Sequence, residues 1–189
     1  MRQARVLTDA EFKRVLAVVA QGRHAARNRM AFMLSYQAGL RVGEIAALKI
    51  GDVIDAEGRV RDQLRLSVAI TKGGYARTVF LNERLRREVE RYRSLSPTDS
   101  LASSPLILTQ KRTAFSPNTL CQLMSQLYQQ AGLDGASSHS GRRWFITRLA
   151  HGGVSAKVIM TLAGHRNLST TQRYIDVRDD MMRAAVELL

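Results

Sequence analysis

Apolar residues along this chain recur mostly at intervals of three and four, with one stretch in which they alternate instead. In TDAEFKRVLAVVA, Thr8 and Glu11 form a capping-box signature, and Phe12, Val15, Leu16 and Val19 follow on one helical face. A helix therefore starts there. RNRMAFMLSYQAG, residues 27–39, repeats the pattern with Met30, Met33, Leu34 and Gln37 on one side and closes at Gly39, a residue suited to a left-handed helix terminus. RVGEIAALKI opens a third helix at Arg41. Between Gly51 and Leu81 the period shortens: LRLSVAI and ARTVFL read as strands around TKGGY, whose Gly73 and Gly74 supply a tight reversal with Lys72 at the hairpin tip. Helix returns in ERLRREVERYRS, residues 83–94, and SLSPTDSLASSP, residues 94–105, has the composition of a surface loop. LILT predicts a short strand. Pro117 stands at the first turn of a helix that stops near Gly132, and SGRRWFITRLAHGG, SAKVIMTLAG and DDMMRAAVELL continue the helical pattern. The chain shows no internal repeat and no low-complexity tract. The expectation is a mainly α protein with a small antiparallel β-sheet, an α+β fold.

With 189 residues the chain suits one well-buried domain. Charge narrows its partners. Lys and Arg number 29 against 16 Asp and Glu, a formal +13, which points to a polyanion. The cations are mostly arginine, whose planar fork grips phosphate bidentately, so a nucleic-acid backbone fits better than a lipid surface. The single cysteine, Cys121, excludes an internal disulfide and a cysteine-based zinc cluster, and fits a reducing compartment. Asp9, Glu11, Lys13 and Arg14 interrupt any signal-peptide core, and no apolar run approaches a membrane span. A cytoplasmic, nucleoid-associated protein with no membrane partner is expected.

Several residues could carry chemistry, and each has a plainer reading. Arg41 and Glu44 lie three apart at a helix start, either a surface ion pair or a guanidinium held for a ligand. His139 and Arg142 repeat that offset where a helix opens and backbone N–H groups favour an anion; Arg143 is expected to point elsewhere. Lys72 is either an ordinary turn lysine or a mobile general acid. In LAGHRNLSTTQRY, His165 and Tyr174 stand nine apart. A tyrosine at a helix end is commonly a half-buried amphipathic residue. A phenol has a reference pKa of about 10, so a nucleophilic one needs a proton acceptor and fixed positive charge beside it.

Taken in order, Arg41, Lys72, His139 with Arg142, His165 and Tyr174 resemble the active-site set of the tyrosine recombinases, the phage integrase family. GLRVGEI resembles that family's first arginine box, TKGGYARTVFL its lysine hairpin, HSGRRW its His-x-x-Arg box, and LAGHRNLSTTQRY its glycine-histidine to tyrosine segment. The likeness covers essentially the whole chain. Two departures stand out. The family usually has leucine where Gly141 stands, which predicts looser packing around Arg142. Most members also carry a separate N-terminal helical domain that closes a clamp on DNA, whereas here the set begins at Arg41, so residues 1–189 are expected to form a single catalytic domain without that core-binding domain. This is either an excised domain or a short member; GRHAARN and the length resemble the small fimbrial phase-variation recombinases.

The resemblance implies a site-specific recombinase acting on double-stranded DNA, with no metal and no other cofactor. Tyr174 would attack the scissile phosphodiester, leaving a 3′-phosphotyrosyl link and a free 5′-hydroxyl. Arg41 and Arg142 would bind the non-bridging oxygens, and His165 would add a third hydrogen bond. Lys72 would protonate the leaving oxygen, His139 would accept or relay the tyrosine proton, and Glu44 would buttress Arg41 or His139. The acidic residues Asp52, Asp55, Glu57 and Asp62 are too irregularly spaced for a metal site and are expected to be structural. Four active sites imply a tetramer on DNA, with a monomer in solution also compatible. Met182, Val186 and Leu189 fall on one side of the last helix, for docking on a neighbour or on their own domain. Two rival functions remain open: type IB topoisomerase-like relaxation, and a catalytically silent DNA-binding regulator of the same fold.

Overall fold

The computed structural model describes residues 4–71, 75–95, 101–175 and 179–187, without the side chains of Asp180 and Met181. The helix α1 (Asp9–Ala20) begins at the expected box: the Thr8 hydroxyl accepts from the Glu11 N–H at 3.2 Å, and the Glu11 carboxylate accepts from the Thr8 N–H at 2.9 Å. Next comes α2 (Ala25–Ala38), the central helix. It buries every face, from Met30 through Leu34 to Tyr36 and Ala38, rather than only the side carrying Met30, Met33, Leu34 and Gln37. A helix enclosed by α1 and by two later helices has no solvent face to keep polar. It ends at Gly39, in the left-handed conformation with φ +63°, where a Cβ would stand 2.5 Å from the Phe145 ring. The chain thus turns sharply into α3 (Val42–Ala47) and the short α4 (Ile50–Val53), the latter not evident from the sequence.

The sheet is smaller than its sequence pattern suggests. β1 (Gln63–Leu66) pairs antiparallel with β2 (Arg77–Phe80) in the register Gln63↔Phe80 to Leu66↔Arg77, burying Leu64, Leu66 and Val79. The SVAI segment leaves the ladder and forms a 3₁₀ turn, Val68–Ile70, so pairing stops at Leu66 and resumes at Arg77. Gly73 and Gly74 lie outside the described residues, as does Lys72. LILT forms no strand. Leu108 makes one isolated bridge to Ala114, and the Leu106 N–H donates to the Leu48 carbonyl at 2.8 Å.

The helices α5 (Glu83–Ser94), α6 (Pro117–Gln130), α7 (Ser140–His151) and α8 (Ala156–Ala163) fall where the periodicity places them. The short α9 (Leu168–Gln172) was not legible, and α10 (Asp179–Val186) ends the described chain. One large core surrounds α2, with α1, α5 and α7 packed on it. A small second core joins Ile146 and Ala150 of α7 to Ile159 and Ala163 of α8, and Tyr174 and Ile175 pack against its edge. The α7 helix therefore belongs to both cores and fixes the α8–α9 corner relative to the centre of the molecule.

Candidate active site

Arg41 sits at the N-terminal cap of α3, directly after the Gly39 turn, and Glu44 one turn later reaches back to it. The Glu44 carboxylate accepts from the Arg41 backbone N–H at 2.8 Å and from its guanidinium at 3.0 Å. A second guanidinium, Arg77 of β2, donates to both oxygens of the same carboxylate at 2.5 and 2.9 Å. Glu44 is 1% exposed. Burial pushes its pKa up, but the hydrogen bonds and charges of Arg77 and Arg41 outweigh that and leave it below the usual carboxylate range. Arg41 also donates to the Gly164 carbonyl at 3.3 Å, and its side chain stays 24% exposed toward open space. Of the two expected roles for Glu44, holding Arg41 is the one observed, with Arg77 as an additional partner.

Arg142 is buried in the first turn of α7, donating to the Gly39 carbonyl at 2.7 Å and to the Ala163 carbonyl. Burial first, then the charges of Arg41 and Arg77, push its pKa down to about 9, so it stays protonated at neutral pH. The looser packing expected from Gly141 is not found. Gly141 is buried, and a Cβ there would meet the Ser35 Oγ and stand 2.6 and 2.8 Å from the Tyr36 ring carbons. The missing side chain lets α7 lie hard against α2, which firms the seat of Arg142. His139 caps α7 and is exposed, its backbone N–H donating to the Ser137 hydroxyl at 3.3 Å.

His165 follows Gly164, the left-handed cap of α8 with φ +64°. Its Nδ1 lies 2.9 Å from the hydroxyl of Thr171, a fully buried residue of α9. Burial first, then Arg142, Arg41 and Arg77, lower its pKa to about 4, so the imidazole is neutral at pH 7. In the tautomer that accepts from the Thr171 hydroxyl at Nδ1, the proton sits on Nε2. Tyr174 closes the corner: its N–H donates to the Thr171 carbonyl at 3.0 Å, its ring stacks on His165 at 5.8 Å between centroids, and the Arg143 guanidinium lies 5.1 Å from that ring.

Arg41, His139, Arg142, Arg143, His165 and Tyr174 all line one cleft of about 610 Å³. On the other side of Arg41 and His165 lies a second hollow of about 700 Å³, lined by Thr71, Tyr75 and Arg77. Every candidate from the sequence converges here except Lys72, which lies outside the described residues between Thr71 and Tyr75. Arg143, expected to point away, faces the same cleft. Three participants went unrecognised in the sequence. Arg77 had a usable signal: two residues before the buried Val79, it shares that strand's inward face, and an inward arginine calls for a buried carboxylate. Arg143 and Thr171 had none. The acidic residues do local work. Asp52 accepts from the Lys49 N–H at 2.8 Å and Asp55 from the Arg59 N–H at 2.7 Å. Fixed cations, a neutral imidazole and a phenol on one wall can hold a phosphate-like anion and present a hydroxyl to it.

Residues 5–181 match the phage integrase family model. The tyrosine recombinase XerA of Pyrococcus horikoshii is 33% identical over 185 residues, covering 96% of this chain and 60% of that protein. XerC of Rhodospirillum centenum is 33% identical over 162 residues, covering 85% of this chain and 46% of the relative. The chain thus spans about 60% or less of the length of these relatives. Among solved structures, XerA recombinase superposes with a TM-score of 0.78 at 22% identity, over 100% of this chain and 66% of that one. The Tn1549 transposon integrase, in complex with a circular intermediate DNA, gives 0.78 at 21% identity over 100% and 67%. These two likenesses establish the fold: mainly helical, with a small antiparallel sheet. With its family model matched over nearly its full length, the chain belongs to the phage integrase family.

Proposed function

We propose that this domain cleaves and rejoins double-stranded DNA for site-specific recombination, with Tyr174 as the nucleophile. The observation that carries the reading is the convergence of Arg41, Arg142, His165 and Tyr174 on a single cleft. A phosphodiester seated there meets the Arg41 and Arg142 guanidiniums at its non-bridging oxygens and the Nε2–H of His165 beside them. As Tyr174 attacks in line, charge builds on those oxygens against donors already in place, each worth about 3 to 4 kcal/mol in the transition state. His139, exposed at the cleft wall, takes or relays the phenolic proton, and Lys72 delivers one to the departing 5′-oxygen. Glu44 holds Arg41 in orientation. The ester energy stays in the 3′-phosphotyrosyl bond, so a second strand's 5′-hydroxyl reverses the step.

The DNA-bound state of the Tn1549 integrase and the formal charge of +13 support a duplex as partner. Exchange between two duplexes requires four such sites, hence a tetramer on DNA. Met182 and Val186 are 51% and 66% exposed on α10, leaving apolar surface for a neighbouring copy. Among the described residues no helix is long and apolar enough to cross a membrane.

The test is a nicked suicide duplex carrying a site selected from a randomised library by binding to this protein. The parent chain should trap a covalent complex, Tyr174→Phe none, and Arg41→Ala or Arg142→Ala roughly 10²- to 10³-fold less in rate. DNA binding by the parent without an adduct would favour a silent regulator, and relaxation of a plasmid lacking the site would favour a topoisomerase.

A further inference from the structure

We propose that Arg77 is a positioning residue for cleavage: it occupies the Glu44 carboxylate and braces the Gly164–His165 turn, so that Arg41 keeps donors free for the phosphate. This rests on the reading of Arg41 given above. A carboxylate has about four acceptor sites, and Glu44 uses its two oxygens for the Arg77 guanidinium, the Arg41 guanidinium and the Arg41 N–H. Arg77 holds both oxygens, and Arg41 reaches only one of them through its side chain. Remove Arg77 and a carboxylate that is 1% exposed faces Arg41 alone. Two-pronged pairing is then the favoured geometry, and it would turn Arg41 away from the cleft.

Two further features set Arg77 apart from a packing residue. Its side chain is 9% exposed, and its Nε is buried without a hydrogen-bond partner, a cost that a hydrocarbon of equal length would avoid. Its stem and Nε lie where a Cβ on Gly164 would be, with the Nε 2.9 Å from that point, so the strand presses on the turn whose carbonyl accepts from Arg41. Arg77 also opens β2, next to the connection that carries Lys72. One side chain thereby ties the hairpin, the first arginine and the histidine turn together.

Single-turnover cleavage of the selected suicide duplex at saturating DNA, with affinity measured separately, tests this on the full chain. Arg77→Met should lower the saturating rate at least ~100-fold while the Kd for the duplex changes less than about threefold, because the loss lies in the transition state and not in binding. Arg77→Lys keeps the charge but loses the planar fork that meets both carboxylate oxygens, and should fall between, about tenfold slow. If Arg77→Met cleaves within threefold of the parent, or its loss is wholly one of affinity, the clamp is overturned. Should Arg77→Met fail to fold, Arg77→Lys decides: about tenfold slower supports the clamp, an unchanged rate overturns it. A parent chain that binds its site yet never reacts refutes the functional reading, and the clamp with it. A parent that reacts beside an equally reactive Arg77→Met variant refutes the clamp alone.

Discussion

Replacing Gly141 by alanine sets two effects of opposite sign against each other. Glycine to alanine inside a helix ordinarily stabilises by about 0.5 to 1 kcal/mol, through the entropy of the unfolded chain. At this position the new methyl would meet the Ser35 Oγ and stand 2.6 and 2.8 Å from the Tyr36 ring. The serine hydroxyl can rotate away. The tyrosine cannot, being fully buried, stacked on Phe12 at 4.0 Å, tilted against Trp144 at 5.6 Å, with its hydroxyl 3.1 Å from that of Tyr128. Overpacking of this kind costs roughly 1 to 3 kcal/mol, so after the helix gain is subtracted the net runs from about zero to a destabilisation of about 2.5 kcal/mol. For a chain of this length that lowers Tm by up to roughly 10 °C. Thermal melting followed by circular dichroism, with urea unfolding at 25 °C as a second measure, reads the sign directly. A Tm above the parent's would mean that α7 and α2 are not in the close contact that seats Arg142. The leucine common at this position in the family should be worse still, and cleavage should fall with stability in both variants.

Glu44→Gln leaves Arg77 and Arg41 facing a neutral amide and is expected to cost about 3 kcal/mol, the lower end for breaking a buried pair, measured by urea unfolding at pH 7. Because Glu44 is lowered in the folded state, its contribution is present above the ordinary carboxylate range and lost as pH falls through the folded value, so the variant's acid sensitivity should be reduced. His165 acts in a different window. Its pKa falls from 6.5 to about 4 on folding, so the unfolded chain binds the extra proton and stability drops as pH descends from 6.5 to 4. Solvent on a half-exposed ring screens this to roughly 1 to 2 kcal/mol. His165→Asn should flatten the stability profile over that interval, and an unchanged slope would contradict the assignment. Arg173 is exposed at the cleft and should contact backbone phosphate; Arg173→Ala is expected to reduce the slope of log affinity against log salt by about 0.9.

Helix positions were legible because the Thr8–Glu11 capping box, Pro117 and the periodic apolar residues act locally, and the structure starts α1 and α6 where those signals lie. The hairpin was less so. Alternation in LRLSVAI persists through Ile70, but pairing stops at Leu66, where a turn begins that only the partner strand's position determines. The contact between Gly141 and Tyr36 joins residues far apart in the chain, so the family pattern alone suggested slack where there is close contact. The candidate set itself was readable as motifs in order. What no spacing could convey was that Glu44 would be shared between two arginines, one of them on a strand. Arg143 went astray for a related reason: one residue past Arg142 it is rotated about the helix, yet its guanidinium lies over the Tyr174 ring in the same cleft.

The most direct measurement is identification of the amino acid joined to DNA. The parent chain, reacted with its selected suicide duplex and digested by protease and nuclease, should yield one peptide bearing a 3′-linked nucleotide at Tyr174 in the mass spectrum. A nucleotide on any other residue, or a bound and nicked duplex with no adduct at all, would contradict the account.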